Sequence, residues 1–316
     1  MLLRLVPRET HIGFMKLRRV TLPISGLLTV LSVVLFFVVG LNLGIDFRGG
    51  SLIEIQTEGP ADIADLRERV GTLGLGDVQI QEFGAPNEVL IRVVEQEGGE
   101  TAQQAVIAKI RNELGDSVEY RRVEIVGPTV SAELAQSGTI AVLVAIFAIL
   151  VYIWFRFEWQ YAIGAIIATV HDVVLTIGLF AILQLDFALS SIAAILTIVG
   201  YSLNDTVVVY DRIRENTRRY RKMPFADLLD LSVNQTLSRT ITTSVTTLLA
   251  LIALYVFGGE VIRSFVFAMI WGVLVGTYSS IYVAGPVLLY LGAHRGGGAS
   301  GQATQAANEA ANEAAT

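Results

Sequence analysis

Residues 20–45 read VTLPISGLLTVLSVVLFFVVGLNLGI, an uncharged run of 26 residues between Arg19 and Asp46. A helix needs about 20 apolar residues to cross the hydrocarbon of a bilayer, so this run is long enough by itself. Further charge-free runs cover 134–155, 187–204, 240–259 and 264–293, and 159–185 is equally apolar apart from His171 and Asp172 near its middle. The pattern predicts an α-helical integral membrane protein with six transmembrane helices, at 20–43, 134–155, 159–183, 187–210, 237–258 and 262–291. Composition agrees: of 316 residues 53% are hydrophobic and 16% charged, and the mean hydropathy is +0.58, far from the usual soluble chain. The first run has a basic flank like a secretory signal. It is too long and lacks a clean small-residue cleavage pattern, so it reads as an uncleaved anchor.

Orientation follows from Lys and Arg near the helix ends. The N-terminal segment 1–19 carries Arg4, Arg8, Lys16, Arg18 and Arg19 against Glu9. It is expected inside, together with Arg156, Arg295 and the basic segment 211–236, which contains Arg212, Arg214, Arg218, Arg219, Arg221 and Lys222. The turns at 184–186 and 258–260 lack Lys and Arg and are expected outside. Both termini then face the cytoplasm.

The segment 44–130 is the only large extramembrane unit, and from Asp46 to Glu124 it carries 16 acids against 8 bases. Ser51–Thr57 is β-rich, Pro60 supplies a helix start, and Ile63, Leu66, Val70 and Leu73 repeat at helical spacing. Val78–Phe83 and Val89–Val93 flank the turn 84–87 as a hairpin, a helix uses Val106, Ile110 and Leu114, and Val118–Val126 closes the unit. The order βαββαβ predicts a ferredoxin-like domain. The tail 296–316 has no apolar anchor and is expected to be disordered.

Several classes are excluded by what the chain lacks. A net charge of -6 argues against a nucleic-acid binder. With no cysteine and only His11, His171 and His294, there is no basis for thiolate chemistry or a histidine-rich metal site. No HExxH or GxSxG motif suggests an enzyme, and no cofactor is implied.

Ionisable residues inside the spans carry the strongest functional signal, because each is costly in hydrocarbon. They are His171, Asp172, Asp205 and Arg239. Asp205 and Arg239 both lie roughly 27 Å of helix from the outer boundary, a shared depth that allows pairing across adjacent helices. The same depth is near the inner edge of the core, where Arg239 could instead snorkel and Asp205 be solvated. His171 and Asp172 diverge by about 100° around their helix and are not expected to face the same neighbour. Around Asp205, Gly200-Tyr201-Ser202-Leu203-Asn204-Asp205-Thr206 gathers small and hydrogen-bonding residues, and the helix from Ser238 is dense in hydroxyls. Hydroxyls have packing reasons to be there; a carboxylate has none. Gly272 and Gly276 form a GxxxG pair suited to close helix contact.

Three segments resemble the SecF family of bacterial SecDF export complexes, within the resistance-nodulation-division superfamily. They are Gly44-Ile45-Asp46-Phe47-Arg48-Gly49-Gly50, His171-Asp172-Val173, and the long stretch from Gly200 to Asn216; Leu237-Ser238-Arg239-Thr240 matches as well. The resemblance runs from about Met15 to Leu291. It implies a multi-pass protein of the bacterial cytoplasmic (inner) membrane with segment 44–130 in the periplasm. It also implies association with SecD, indirect association with the SecYEG channel and SecA, and contact with a translocating preprotein. Protons are the implied coupling ion, with Asp205 and Arg239 as the proton-coupling residues. Asp172, His171 and Asn204 are secondary candidates. Gly44, Asp46, Gly49 and Gly50 form a structural motif at the outer boundary. The competing readings are a proton-coupled small-molecule exporter of the same superfamily and a passive scaffold for translocon assembly.

Overall fold

The computed structural model describes residues 10–292. The expected disordered tail 296–316, and Arg4, Arg8 and Arg295 of the orientation argument, lie outside the described residues. In chain order, α1 (Arg18–Val38) leads through β1 (Asn42–Leu43) and the one-turn α2 (Ile45–Arg48) into β2 (Gly50–Thr57). Then come α3 (Ile63–Gly71), β3 (Val78–Phe83), β4 (Ala85–Val93), α4 (Gly99–Leu114) and β5 (Val118–Val126). The long helices α5 (Pro128–Arg156) and α6 (Trp159–Leu183) follow, with β6 (Asp186–Phe187), α7 (Leu189–Arg219), α8 (Phe225–Phe257) and α9 (Arg263–Ser279) after them. A π turn at Ser280–Ala284 joins α9 to α10 (Gly285–Leu291). Among the described residues six stretches are long and apolar enough to cross a membrane, counting Arg263–Leu291 as one.

The helix limits differ from the sequence-based ones for local reasons. α1 stops at Val38 rather than 43, because Gly40 takes φ +77° and Asn42–Leu43 pair in parallel with Asp186–Phe187. α5 starts at Pro128, six residues before 134, with proline in the first turn where its missing N–H costs nothing. The segment 211–236 is mostly helix, since α7 runs on to Arg219 and α8 begins at Phe225 around a turn that ends in Pro224. Arg and Glu are good helix formers and need no apolar face outside the core.

In the unit between α1 and α5, four strands pair antiparallel in the order β3-β4-β2-β5. Alternation along β2 sends Ile53 and Ile55 to the face covered by α3 and α4, where they are buried with Leu66, Val70, Val106, Ile110 and Leu114. Leu52 points the other way and packs with Ile45 and Leu90. Two expectations are corrected here. The first helix starts at Ile63 rather than at Pro60, because Asp62 accepts hydrogen bonds from the N–H groups of Ala64 (3.0 Å) and Asp65 (3.1 Å). The hairpin turn is tighter than 84–87, since Ala85–Glu88 belongs to β4 and the register shifts beside Phe83.

Within the bundle α6, α7 and α9 form the centre, while α1, α5 and α8 expose most of their apolar surface. Tyr210 is fully buried, and its hydroxyl donates to the Ala284 carbonyl (3.2 Å) beside Gly164, where a Cβ would strike that hydroxyl.

Candidate functional site

Two glycines bring the central helices together. A Cβ on Gly272 would run into the Ile198 side chain, and one on Gly276 would stand 3.0 Å from Ser202 Cβ, so α9 lies directly on α7. That approach carries hydroxyls from both helices to two carboxylates. Asp172 of α6 is completely buried. Its Oδ2 accepts from the Ser202 hydroxyl (2.5 Å) and the Ser279 hydroxyl (2.7 Å), and its Oδ1 meets His171 Nδ1 at 2.9 Å. One turn along α7 from Ser202, Asp205 is half-buried. It accepts from Thr240 of α8 on Oδ1 (2.7 Å) and from Ser280 on Oδ2 (2.6 Å). A third knot joins Ser244 to Thr277 (2.6 Å) and to the Tyr201 hydroxyl, which donates to it (3.1 Å).

His171 and Asp172 meet each other side chain to side chain, and Asp172 takes its other donors from α7 and α9. Arg239 does not pair with Asp205: among the described residues no ion pair within 4.0 Å joins them, and Arg239 is exposed. The residue of α8 that faces α7 is its neighbour Thr240. Asn204 points away from both carboxylates and lines a cavity of about 390 Å³ against Tyr152 and Ile153 of α5. The π turn is not signalled by any local pattern, and Ser279 and Ser280 were missed with it.

The boundary glycine motif forms a joint. Gly44 N–H donates to the Phe187 carbonyl (2.9 Å), and the Asp46 carboxylate accepts from Leu189 N–H (2.8 Å) at the positive end of α7. Arg92 of β4 reaches down to Asp186 (2.8 Å) and Asn42 (3.2 Å). The four-stranded sheet is thereby fixed to the connection between α6 and α7. Burial raises the Asp186 carboxyl above the ordinary carboxylate range, outweighing the attraction of Arg92, and nearby Asp46 adds to the rise. A raised value in the docked state means docking binds the proton. That share of stability is present below the ordinary carboxylate pKa and is lost as pH rises through the raised one. Arg92→Leu removes the opposing charge and widens that loss. Limited proteolysis at residues 41–49 should then be markedly faster at about pH 7.5 than at about pH 5 in the variant, with a smaller difference in the wild type. Equal pH dependence in the two proteins would refute the latch.

Comparison with known proteins gives a consistent picture. Residues 106–294 match the family described as protein export membrane protein SecD/SecF, C-terminal, and residues 34–61 match the SecD/SecF GG motif. A protein translocase subunit SecF from Rhodobacter capsulatus is 46% identical over 308 residues, covering 93% of this chain and 92% of that one. A protein translocase subunit SecDF from Brucella abortus is 48% identical over 291 residues, 92% of this chain but 38% of the relative. The crystal structure of SecDF from Thermus thermophilus, described as a translocon-associated membrane protein, superposes with a TM-score of 0.81 at 36% identity. That match covers 91% of this chain and 39% of the other. The chain thus spans well under half of the SecDF relatives it matches and nearly all of the separate SecF one.

Proposed function

The chain belongs to the SecD/SecF family of protein export membrane proteins, and from that premise we propose that it is the SecF-like subunit of an accessory complex that uses the proton gradient to assist Sec-dependent translocation. Its partner in this reading is SecD, and the complex works beside SecYEG on a preprotein that SecA has begun to move. The protein sits in the bacterial cytoplasmic membrane with both termini inside. Its βαββαβ unit is a periplasmic ferredoxin-like domain, a reading supported by the strand order and the acid-rich surface. Protons are the only coupling species needed, and no bond-making chemistry is required of the chain.

The observation that carries this reading is Asp205, a carboxylate within a span that accepts from two hydroxyls of neighbouring helices. Such a group is retained at a cost in hydrocarbon and has reason to titrate. When charged, it holds α8 and the π turn against α7. When protonated, it needs fewer donors and releases part of that grip. Asp205 shares α7 with Leu189, whose N–H is held by Asp46, roughly 24 Å away along the helix. A shift of α7 therefore reaches the glycine joint and the outer sheet directly. One proton crossing about 100 mV supplies about 2.3 kcal/mol, enough to bias a two-state arrangement roughly fiftyfold. Arg239, on the exposed side of α8, sets the field near Asp205 rather than bonding it, and Asp172 with His171 forms a deeper acid centre.

The test uses the purified complex in sealed vesicles with the channel and its ATPase. Translocation measured with and without an imposed proton gradient should differ severalfold, and the difference should vanish when this chain is omitted. Equal rates in the presence of the chain would leave only the scaffold reading.

A further inference from the structure

Ser279 and Ser280 are consecutive residues, yet they serve different carboxylates on different helices. Ser279 donates to Asp172 of α6, and Ser280 donates to Asp205 of α7. Both serines are fully buried. They sit where α9 widens into the π turn, a backbone irregularity that costs hydrogen-bond geometry and is kept mostly where a site needs it. Each hydroxyl also has a second acceptor within its own helix: the Gly276 carbonyl at 3.2 Å for Ser279 and the Thr277 carbonyl at 3.0 Å for Ser280. A hydroxyl carries one proton to donate, so in each serine the carboxylate and the backbone compete for it.

We infer that Ser279 and Ser280 are positioning residues that couple two acid centres, the buried Asp172 with His171 and the half-buried Asp205, so that their protonations are linked through the π turn; this rests on the proton-linked reading of Asp205. While a carboxylate is charged it takes the hydroxyl. Once it is protonated, the hydroxyl turns back to the carbonyl three residues earlier, which favours a tighter turn there. The two serines share one peptide bond, so tightening at one alters the aim of the other. His171 adds a second reason to treat Asp172 as a working group. Its Nδ1 is engaged with the carboxylate, while its buried Nε2 has no partner among the described residues. The ring stacks on Tyr278, the residue before Ser279, with centroids 6.4 Å apart.

Few other ionisable groups face this assembly. α7 brings Asp205 and Tyr201, α8 brings Arg239, and α9 with the π turn brings Tyr278 and Tyr282. α1 and α5 carry their charges at their ends, at Arg18, Arg19, Glu133 and Arg156, and Arg263 stands at the start of α9. Among these groups Arg239 is the charge that acts on Asp205, and the adjacent serines are the contacts that link Asp205 to the Asp172 centre.

Infrared difference spectra of the complex in lipid nanodiscs report the protonated carboxyl stretch across a pH titration, with the Asp205 band assigned by its loss in Asp205→Asn. With both serines present, Asp172→Asn should change the proton affinity of Asp205 about tenfold, one pH unit, as expected for coupled sites. With Ser279→Ala and Ser280→Ala together, the same substitution should change it less than about threefold. The single serine variants should fall between, and Ser280→Thr, which keeps a hydroxyl, should restore the full dependence. An equal change with and without the serines, or none in either, overturns the inference while leaving Asp205 as a titrating group. An Asp205 band that does not titrate at all removes the proton-linked reading itself, and the inference with it.

Discussion

Asp205→Asn is expected to abolish the gradient-dependent part of translocation while leaving the protein in the membrane with its partner. The substitution keeps the side-chain shape and one acceptor oxygen, so either Thr240 or Ser280 retains its bond. The other hydroxyl meets an amide N–H₂, which donates rather than accepts. Ser280 has the Thr277 carbonyl at 3.0 Å to turn to, so the structural penalty is about one lost hydrogen bond, on the order of 1 kcal/mol. An amide cannot titrate in this range, so the variant removes any proton uptake at this position. The translocation rate with an imposed gradient should fall to the rate without one, and the complex should still copurify intact. Full stimulation in the variant would reduce Asp205 to a structural hydrogen-bond acceptor.

The candidate spans were legible in the sequence, and the direction in which each side chain faces was not. A charge-free run of about 20 residues is a local signal, so the spans and the outer unit could be read from composition alone. Helix ends were less legible, because Arg212 to Arg219 extend α7 with no apolar pattern to announce it. The same limit applies to the site. Counting residues from the outer boundary put Asp205 and Arg239 at one level, but a step of one residue turns about 100° around a helix. The packing of α8 on α7 selected Thr240 rather than Arg239 for the facing position. The partners of Asp172 were hidden for a related reason. Its partners come from Ser202 and Ser279 on other helices, and their arrival depends on the close approach made by Gly272 and Gly276. That glycine pair was visible, but which helix it would meet was not.

Gly50→Ala should be the most damaging single change at the outer boundary, more so than Gly49→Ala next to it. Gly50 has φ +114°, a region that L side chains rarely adopt and that costs about 1–3 kcal/mol. An added Cβ would also collide with the Val93 carbonyl oxygen and stand 3.2 Å from the Glu95 nitrogen. The Val93 carbonyl is backbone of the central strand pair β2–β4, where Ser51 pairs with Val93, and it cannot move without disturbing the ladder. Relieving such a clash costs a further 1–3 kcal/mol or so. Gly49 is also at positive φ, +69°, but its Cβ would meet the end of the flexible Glu95 side chain at 3.0 Å, the Ser131 hydroxyl at 3.3 Å and the Val126 carbonyl oxygen at 3.3 Å. The two side chains can give way and the carbonyl needs to yield only a few tenths of an ångström, so the contact cost is smaller than at Gly50. For an outer unit of this size, whose stability is on the order of 5–10 kcal/mol, a loss of about 3 kcal/mol or more lowers its melting transition by roughly 12 °C or more. Thermal unfolding of the purified protein, followed by protease accessibility of segment 50–126, measures this directly. A Gly50→Ala transition within a degree or two of wild type, or a Gly49→Ala variant that is the weaker of the two, would show that the joint tolerates a side chain where the backbone leaves no room for one.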